Sequence, residues 1–273
     1  MYKDYKKSFQ NKLDKLSRNY GKYTVFSDFV KMCSISIYNV FAKNEEMEKV
    51  YLNTIKAYEK EDRALFTKMF ADLIMMYKTA DDIIDILGPI YEHENLSNSH
   101  IGQFFTPSHI AELMSKVSIS DDKSDFEKII KENGFITMCE PTCGSGVMII
   151  AFAKVLKSFD INYQKNLLAT ANDISDVCAY MTYIQLALYG LPAIVYCGNA
   201  LTGETRFKME TPLYFLQAWK FRKAFIQKPE DNTNKQKESI VDKTIQDKFK
   251  EVMVKGNCQI SFFLKKGRFT YEN

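Results

Sequence analysis

The stretch Glu140-Pro141-Thr142-Cys143-Gly144-Ser145-Gly146 has residue types suited to holding a ligand. Two glycines one residue apart let the backbone approach closely, because no Cβ stands in the way. A helix starting there would also turn free N–H groups toward the ligand. The turn is not G-x-G-x-x-G, since Ile149 stands where the third glycine would be, and it lacks the Gly-Lys-Ser/Thr of a phosphate loop. Glu140 just before it would repel a pyrophosphate but could hold an ammonium. The chemistry implied is the binding of a nucleoside-like ligand that carries a positive amino group. Asp173 follows 29 residues after Gly144. An acid at a strand tip accepts hydrogen bonds from both ribose hydroxyls, although the same residue also serves as a helix cap. Asn199 comes next, with an amide that could meet an adenine edge or close a turn.

Other chemistries are poorly served. The six cysteines lie at positions 33, 139, 143, 178, 197 and 258. Only Cys139 and Cys143 are close, with no second pair and no histidine near them, so a zinc site is not expected. No secretory segment follows Met1, which points to reduced thiols in a cytoplasmic protein. The apolar runs read as too short to span a bilayer, so no membrane partner is expected.

The elements that would position these residues alternate in type. Phe135–Cys139 is a short apolar strand before the glycine turn, and Val147–Phe159 an apolar helix after it. Leu167–Ala171 is a second strand, ending at Asn172-Asp173. Asp176–Tyr189 is a helix closed by Gly190 and Pro192. Ala193–Cys197 is a third strand, ending at Gly198-Asn199. Strand, helix, strand, helix, strand is the grammar of a parallel sheet with right-handed crossovers. Upstream, Thr106-Pro107 suits a helix start, with Thr106 as N-cap and Pro107 at the first helical position. Apolar residues at helical spacing from about Thr24 to Tyr91 predict a helical subdomain, interrupted at Gly88-Pro89. Glu92–His100 and Ser120–Ser124 read as loops. Beyond Leu201 the grammar fades: Thr202–Glu210 is polar, Gln227–Lys250 is charged, and Ile260–Leu264 is a last short strand candidate. The division expected is a helical subdomain over 1–100, a ligand-binding α/β domain over 101–225, and a charged tail over 226–273.

With 46% hydrophobic and 26% charged residues the chain can form a core. Its net charge of +3 is unevenly spread. Residues 1–23 hold seven basic and two acidic side chains, net +5, and residues 220–273 thirteen and seven, net +6. Such ends are either phosphate-binding arms or solvated tails.

Taken together, Gly102-Gln103-Phe104-Phe105-Thr106-Pro107 and the Glu140–Gly146 turn resemble the paired signature of N6-adenine DNA methyltransferases. The likeness is greatest to the modification subunits of type I restriction-modification systems. Asn172-Asp173-Ile174-Ser175, Cys178-Ala179-Tyr180-Met181, Gly190-Leu191-Pro192 and Gly198-Asn199-Ala200-Leu201 extend the resemblance, which covers about residues 81–201. It implies a doubly wound, Rossmann-like α/β fold that binds S-adenosyl-L-methionine, behind an N-terminal helical subdomain. It implies DNA as a partner, with a specificity or methylase subunit as a further one. By the same resemblance Phe105, Thr106 and Pro107 contact the methionine part. Glu140 takes the amino group, Pro141, Thr142, Gly144 and Gly146 shape the turn, Asp173 takes the ribose, Ile174 packs on the adenine, and Asn199 with Ala200 meets its edge. Plain core packing is the other reading of Phe104 and Phe105.

Such enzymes also carry an Asp/Asn-Pro-Pro-Tyr/Phe motif, which stacks a flipped adenine and accepts from its amino group. This chain contains no Pro-Pro pair. Its nearest approach is Thr211-Pro212-Leu213-Tyr214, in which Thr211, Pro212 and Tyr214 would be the catalytic candidates. Three readings follow: a methyltransferase acting alone or with a specificity subunit, a non-catalytic cofactor-binding relative with a regulatory or antirestriction role, and a methyltransferase for another acceptor.

Overall fold

The computed structural model describes residues 1–94, 96, 105–117, 123–217 and 219, and the backbone of 263–265 and 268–270. Gly102, Gln103 and Phe104, residues 120–122 of the Ser120–Ser124 loop, the charged stretch 227–250 and residues 260–262 lie outside the described residues.

The basic N-terminus is a packed helix rather than a tail. Helix α1 (Tyr2–Tyr20) buries Phe9, Leu13 and Leu16, spaced four and three apart, and leaves most of its lysines toward solvent. Helix α2 (Lys22–Ala42) follows a single glycine. Helix α3 (Glu45–Lys56) is capped by the Asn44 side chain, which accepts from Met47 N. Helix α4 (Lys60–Thr79) packs along α1, where Lys12 meets Asp72 at 2.6 Å. By length and composition α2 is apolar enough to cross a membrane, which corrects the expectation drawn from the apolar runs. Here its apolar side chains, among them Phe26, Phe29, Val30 and Ile35, are buried within the protein. Helix α5 (Leu87–His93) contains Gly88 and Pro89 in its first turn. A proline is tolerated there because it has no intrahelical donor to lose, so Gly88-Pro89 opens a helix instead of breaking one.

Helix α6 (Ser108–Val117) starts where the Pro107 carbonyl accepts from Ala111 N at 3.0 Å, one or two residues later than a Thr106 cap would set it. Helix α7 (Lys123–Asn133) leads into β1 (Ile136–Glu140). Then come α8 (Val147–Ser158), the single turn α9 (Tyr163–Asn166), β2 (Leu167–Asp173), α10 (Asp176–Leu188) and β3 (Ala193–Asn199). Strands β1, β2 and β3 are parallel neighbours in that order. Both crossovers step the same way across the sheet, so right-handed connections put α8 and α10 on one face. Strands β1 to β3 thus form the parallel part of an open α/β sheet.

The polar stretch after Leu201 forms a strand that the sequence reading missed. Strand β4 (Glu204–Glu210) runs antiparallel to β3 along the sheet's outer edge, with its first residues exposed and charged, as edge strands often are. Gly198 makes this close pairing feasible: a Cβ there would lie 2.0 Å from the Glu204 carbonyl oxygen. Helix α11 (Pro212–Leu216) follows, and β5 (Phe263–Lys265) pairs with β6 (Arg268–Thr270) in a separate hairpin.

One apolar cluster runs from Phe9 through Phe26, Leu73 and Ile90 to Ile149, Val195 and Met209. The helical subdomain and the sheet therefore share a continuous core.

Candidate functional site

Three parallel strands deliver Glu140, Asp173 and Asn199 to the same edge of the sheet. Asn172 braces these tips. Its Nδ2 donates to Pro141 O and to Gly198 O, each at 3.1 Å, so one amide ties the ends of β1 and β3 to β2. Nothing about a lone asparagine before an aspartate announces this role; only the strand register creates it.

The glycine turn is held by its surroundings. Gly144 and Gly146 sit at φ +55° and +92°, in the left-handed region that favours glycine. Cys143 N donates to Asn172 O at 2.8 Å, and Gly146 N closes the turn on Cys143 O at 2.7 Å. Thr182 Oγ1, from α10, donates to Gly144 O at 2.9 Å. A Cβ on Gly144 would come within 3.1 Å of the Phe105 ring, and one on Gly146 within 3.1 Å of Thr182 Oγ1. Both glycines are required by close approach as well as by φ.

Asp173 and Glu140 carry the electrostatics. Asp173 Oδ2 accepts from Gly144 N and Oδ1 from Ser175 N, both at 2.8 Å. Glu140 is 3% exposed, and its Oε1 accepts from Thr142 N at 3.2 Å. Burial raises both carboxyl pKa values above the ordinary range, and the Asp173 charge pushes Glu140 further up. Among the described residues no basic side chain contributes to either shift. Two neighbouring buried acids with no described cation beside them favour a positively charged group.

Phe105 is half-buried and stacks on Tyr91, with ring centroids 5.5 Å apart, and its N–H donates to Glu92 Oε1 at 3.1 Å. It lies both in the core and against the glycine turn, so the packing and binding readings of this residue coexist. Thr106 is partly exposed and Pro107 exposed at the start of α6. Pro141 is partly exposed and Thr142 exposed, beside Glu140. Ile174 is an apolar side chain left 67% exposed at the tip of β2. Its carbonyl accepts from Arg206, which also meets Asp176 at 2.7 Å. Asn199 takes the turn role: its Oδ1 accepts from Leu201 N at 2.9 Å and Thr202 N at 3.3 Å. Only its Nδ2 is left to donate outward. Ala200 follows, partly exposed, within that turn. Among the described residues no group of His, Cys, Asp and Glu is arranged to hold a metal ion.

Thr211, Pro212 and Tyr214 are not part of this site. Thr211 is fully buried at the opposite end of β3, where its Oγ1 donates to Leu191 O at 2.7 Å and accepts from Ala193 N at 2.9 Å. Strand β3 is seven residues long, which separates Thr211 from the pocket edge by about 20 Å. Pro212 is the first residue of α11, and Tyr214 packs against the cluster of Phe135, Leu168 and Trp219. The antiparallel course of β4 is the reason: it carries the chain back toward the amino ends of the parallel strands.

A glycine turn after the first strand and acids at the first two strand tips, on an open α/β sheet, are compatible with an α/β methyltransferase fold. The chain belongs to the N-6 DNA methylase family, whose model matches residues 82–253. Searches of curated proteins and of solved structures return no match.

Proposed function

We propose that the chain is an S-adenosylmethionine-binding member of the N6-adenine DNA methyltransferases that does not transfer the methyl group on its own. The observation that carries the first half is the pair of buried acids, Glu140 and Asp173, beside a glycine turn with no cation of their own among the described residues. The donor set fits this cofactor better than a dinucleotide, since S-adenosylmethionine is cationic at the end that Glu140 would meet and a pyrophosphate is anionic.

When bound, the cofactor supplies a methyl group on a positively charged sulfur. The chain's own residues bind and orient it. Glu140 holds the ammonium, and Gly144 and Gly146 let the backbone approach the methionine part beside Phe105, Thr106 and Pro107. Asp173 has acceptor capacity left for ribose hydroxyls after its two backbone bonds. Ile174 offers an apolar surface to the adenine, and Asn199 Nδ2, next to Ala200, offers a donor to a ring nitrogen. Pro141 and Thr142 hold the rim of the turn.

The second half rests on Thr211. With that residue buried at the far end of β3, no described residue takes the part of the Asn-Pro-Pro-Tyr group that orients an adenine amine. DNA is the proposed partner, and a methylase or specificity subunit would supply the missing group.

One protein sample tests both halves. S-adenosylmethionine is titrated by calorimetry, and labelled methyl transfer to DNA is then assayed. Binding without transfer supports the reading. No binding at millimolar cofactor sinks the first half, and transfer by the chain alone sinks the second. Transfer that appears only with an added methylase subunit favours a regulatory or partner role over a vestigial one.

A further inference from the structure

Behind the glycine turn lies a buried polar network that the binding residues do not include. Asp85, between α4 and α5, is 7% exposed. Its Oδ2 accepts from Ser145 Oγ at 2.6 Å, and its Oδ1 from Gln185 Nε2 at 2.7 Å and Gly88 N at 2.9 Å. Gln185, fully buried on α10, also donates to Ser145 O at 2.7 Å. Its Oε1 accepts from Tyr77 Oη at 2.7 Å and from Ile86 N at 2.9 Å. Ser145, the residue between the two glycines, is thus gripped by both its hydroxyl and its carbonyl. The packing is close: a Cβ on Gly88 would lie 2.2 Å from Asp85 Oδ2 and 2.7 Å from Ser145 Oγ.

The same short stretch also reaches the other wall of the pocket. Tyr91 stacks on Phe105, and Glu92 accepts from the Phe105 amide. Residues 85–92 therefore touch both the glycine turn and the Phe105 segment. A turn with two left-handed glycines has many open conformations available, and only fixed partners hold it in one.

We infer that Asp85 is a positioning residue that holds the Cys143–Gly146 turn in its binding shape, so that the helical subdomain sets the affinity of the pocket. This rests on the S-adenosylmethionine reading above. Asp85 does not touch the ligand; it acts through Ser145.

The test uses the full chain with Asp85→Ala, Asp85→Asn and Ser145→Ala, and takes two readings. One is the affinity for S-adenosylmethionine by calorimetry. The other is amide hydrogen exchange of a peptide spanning the turn in the ligand-free chain. Asp85→Ala is expected to weaken binding about tenfold or more and Ser145→Ala about fivefold, both with faster exchange at the turn. Asp85→Asn is expected to stay within about threefold of the parent, because its oxygen can accept from Gln185 and Gly88 while its amide donates to Ser145. A residue that only adds stability would lower the unfolding temperature without changing either reading in the folded variant. Folded Asp85→Ala and Ser145→Ala proteins with unchanged affinity and unchanged exchange overturn the inference. If Asp85→Ala does not fold, Ser145→Ala decides by the same two readings. If the parent chain binds no cofactor, the cofactor reading falls, and exchange at the turn still decides whether Asp85 positions it.

Discussion

The Gly144 amide donates to Asp173 Oδ2 at 2.8 Å, tying the turn after β1 to the tip of β2. One carboxylate thereby shapes the turn and, in the function proposed here, also takes the ribose. Asp173→Ala should weaken S-adenosylmethionine binding by about 1–3 kcal/mol, the cost of losing hydrogen bonds to a charged acceptor. Calorimetric titration of parent and variant gives the number, and an unchanged affinity would remove Asp173 from the site.

Glu140→Gln should separate function from stability. The amide keeps the shape but removes a buried charge that has no basic partner among the described residues. Cofactor affinity should fall, while the unfolding midpoint of the ligand-free chain rises by about 1–3 °C. A lowered midpoint would mean that the charge is compensated in the ligand-free fold.

The acids also predict a pH dependence. Burial raises the folded-state pKa values of Glu140 and Asp173, so the ligand-free fold takes up these protons more readily than the unfolded chain does. The cost of keeping them charged is therefore relieved as pH falls through the raised pKa values. Binding has the opposite sign, because it needs both groups ionised. Affinity should decline with falling pH before the ordinary carboxylate range of about 4 is reached. Titrations from about pH 8 to about pH 5 would show it, and a flat profile would contradict the assignment.

Gly146→Ala should cost about 1–3 kcal/mol of stability, because φ is +92° and the new methyl meets Thr182. Denaturant unfolding reads the loss. Cofactor binding should fall with it, since the turn cannot keep its shape.

Thr211→Ala should behave in the opposite way to the pocket variants. It strips a buried hydroxyl of two backbone partners and should cost about 1–3 kcal/mol of stability. Cofactor affinity in the folded variant should not change. A selective loss of binding would place Thr211 nearer the pocket than β3 allows.

The alternation of strands and helices from Phe135 to Asn199 was legible because apolar runs, glycine turns and caps agree there. The positions of Glu140, Asp173 and Asn199 at strand ends were legible for the same reason. What the sequence hid has physical causes. Strand β4 lacks an apolar pattern because an edge strand needs none on its outer side, and its Glu, Arg and Lys residues read as loop. Helix α1 hid its stripe of Phe9, Leu13 and Leu16 among lysines. Asn172 and Asp85 act through partners distant in sequence, such as Gly198 for one and Ser145 and Gln185 for the other. Asn199 was open between two roles, and the turn claims its oxygen.

The reversal after Asn199 sets an upper limit on what the described sheet can present. Each parallel strand spends its length travelling toward the ligand and arrives with a side chain to offer. Strand β4 makes the same journey in the other direction, and its last residue, Glu210, arrives at the far rim, where it meets Tyr38 and Lys208. In the function proposed here the described sheet aims three tips at the bound cofactor and grips it from one side. A reacting partner would have to be steered in from the uncovered side by something that does not travel along β4.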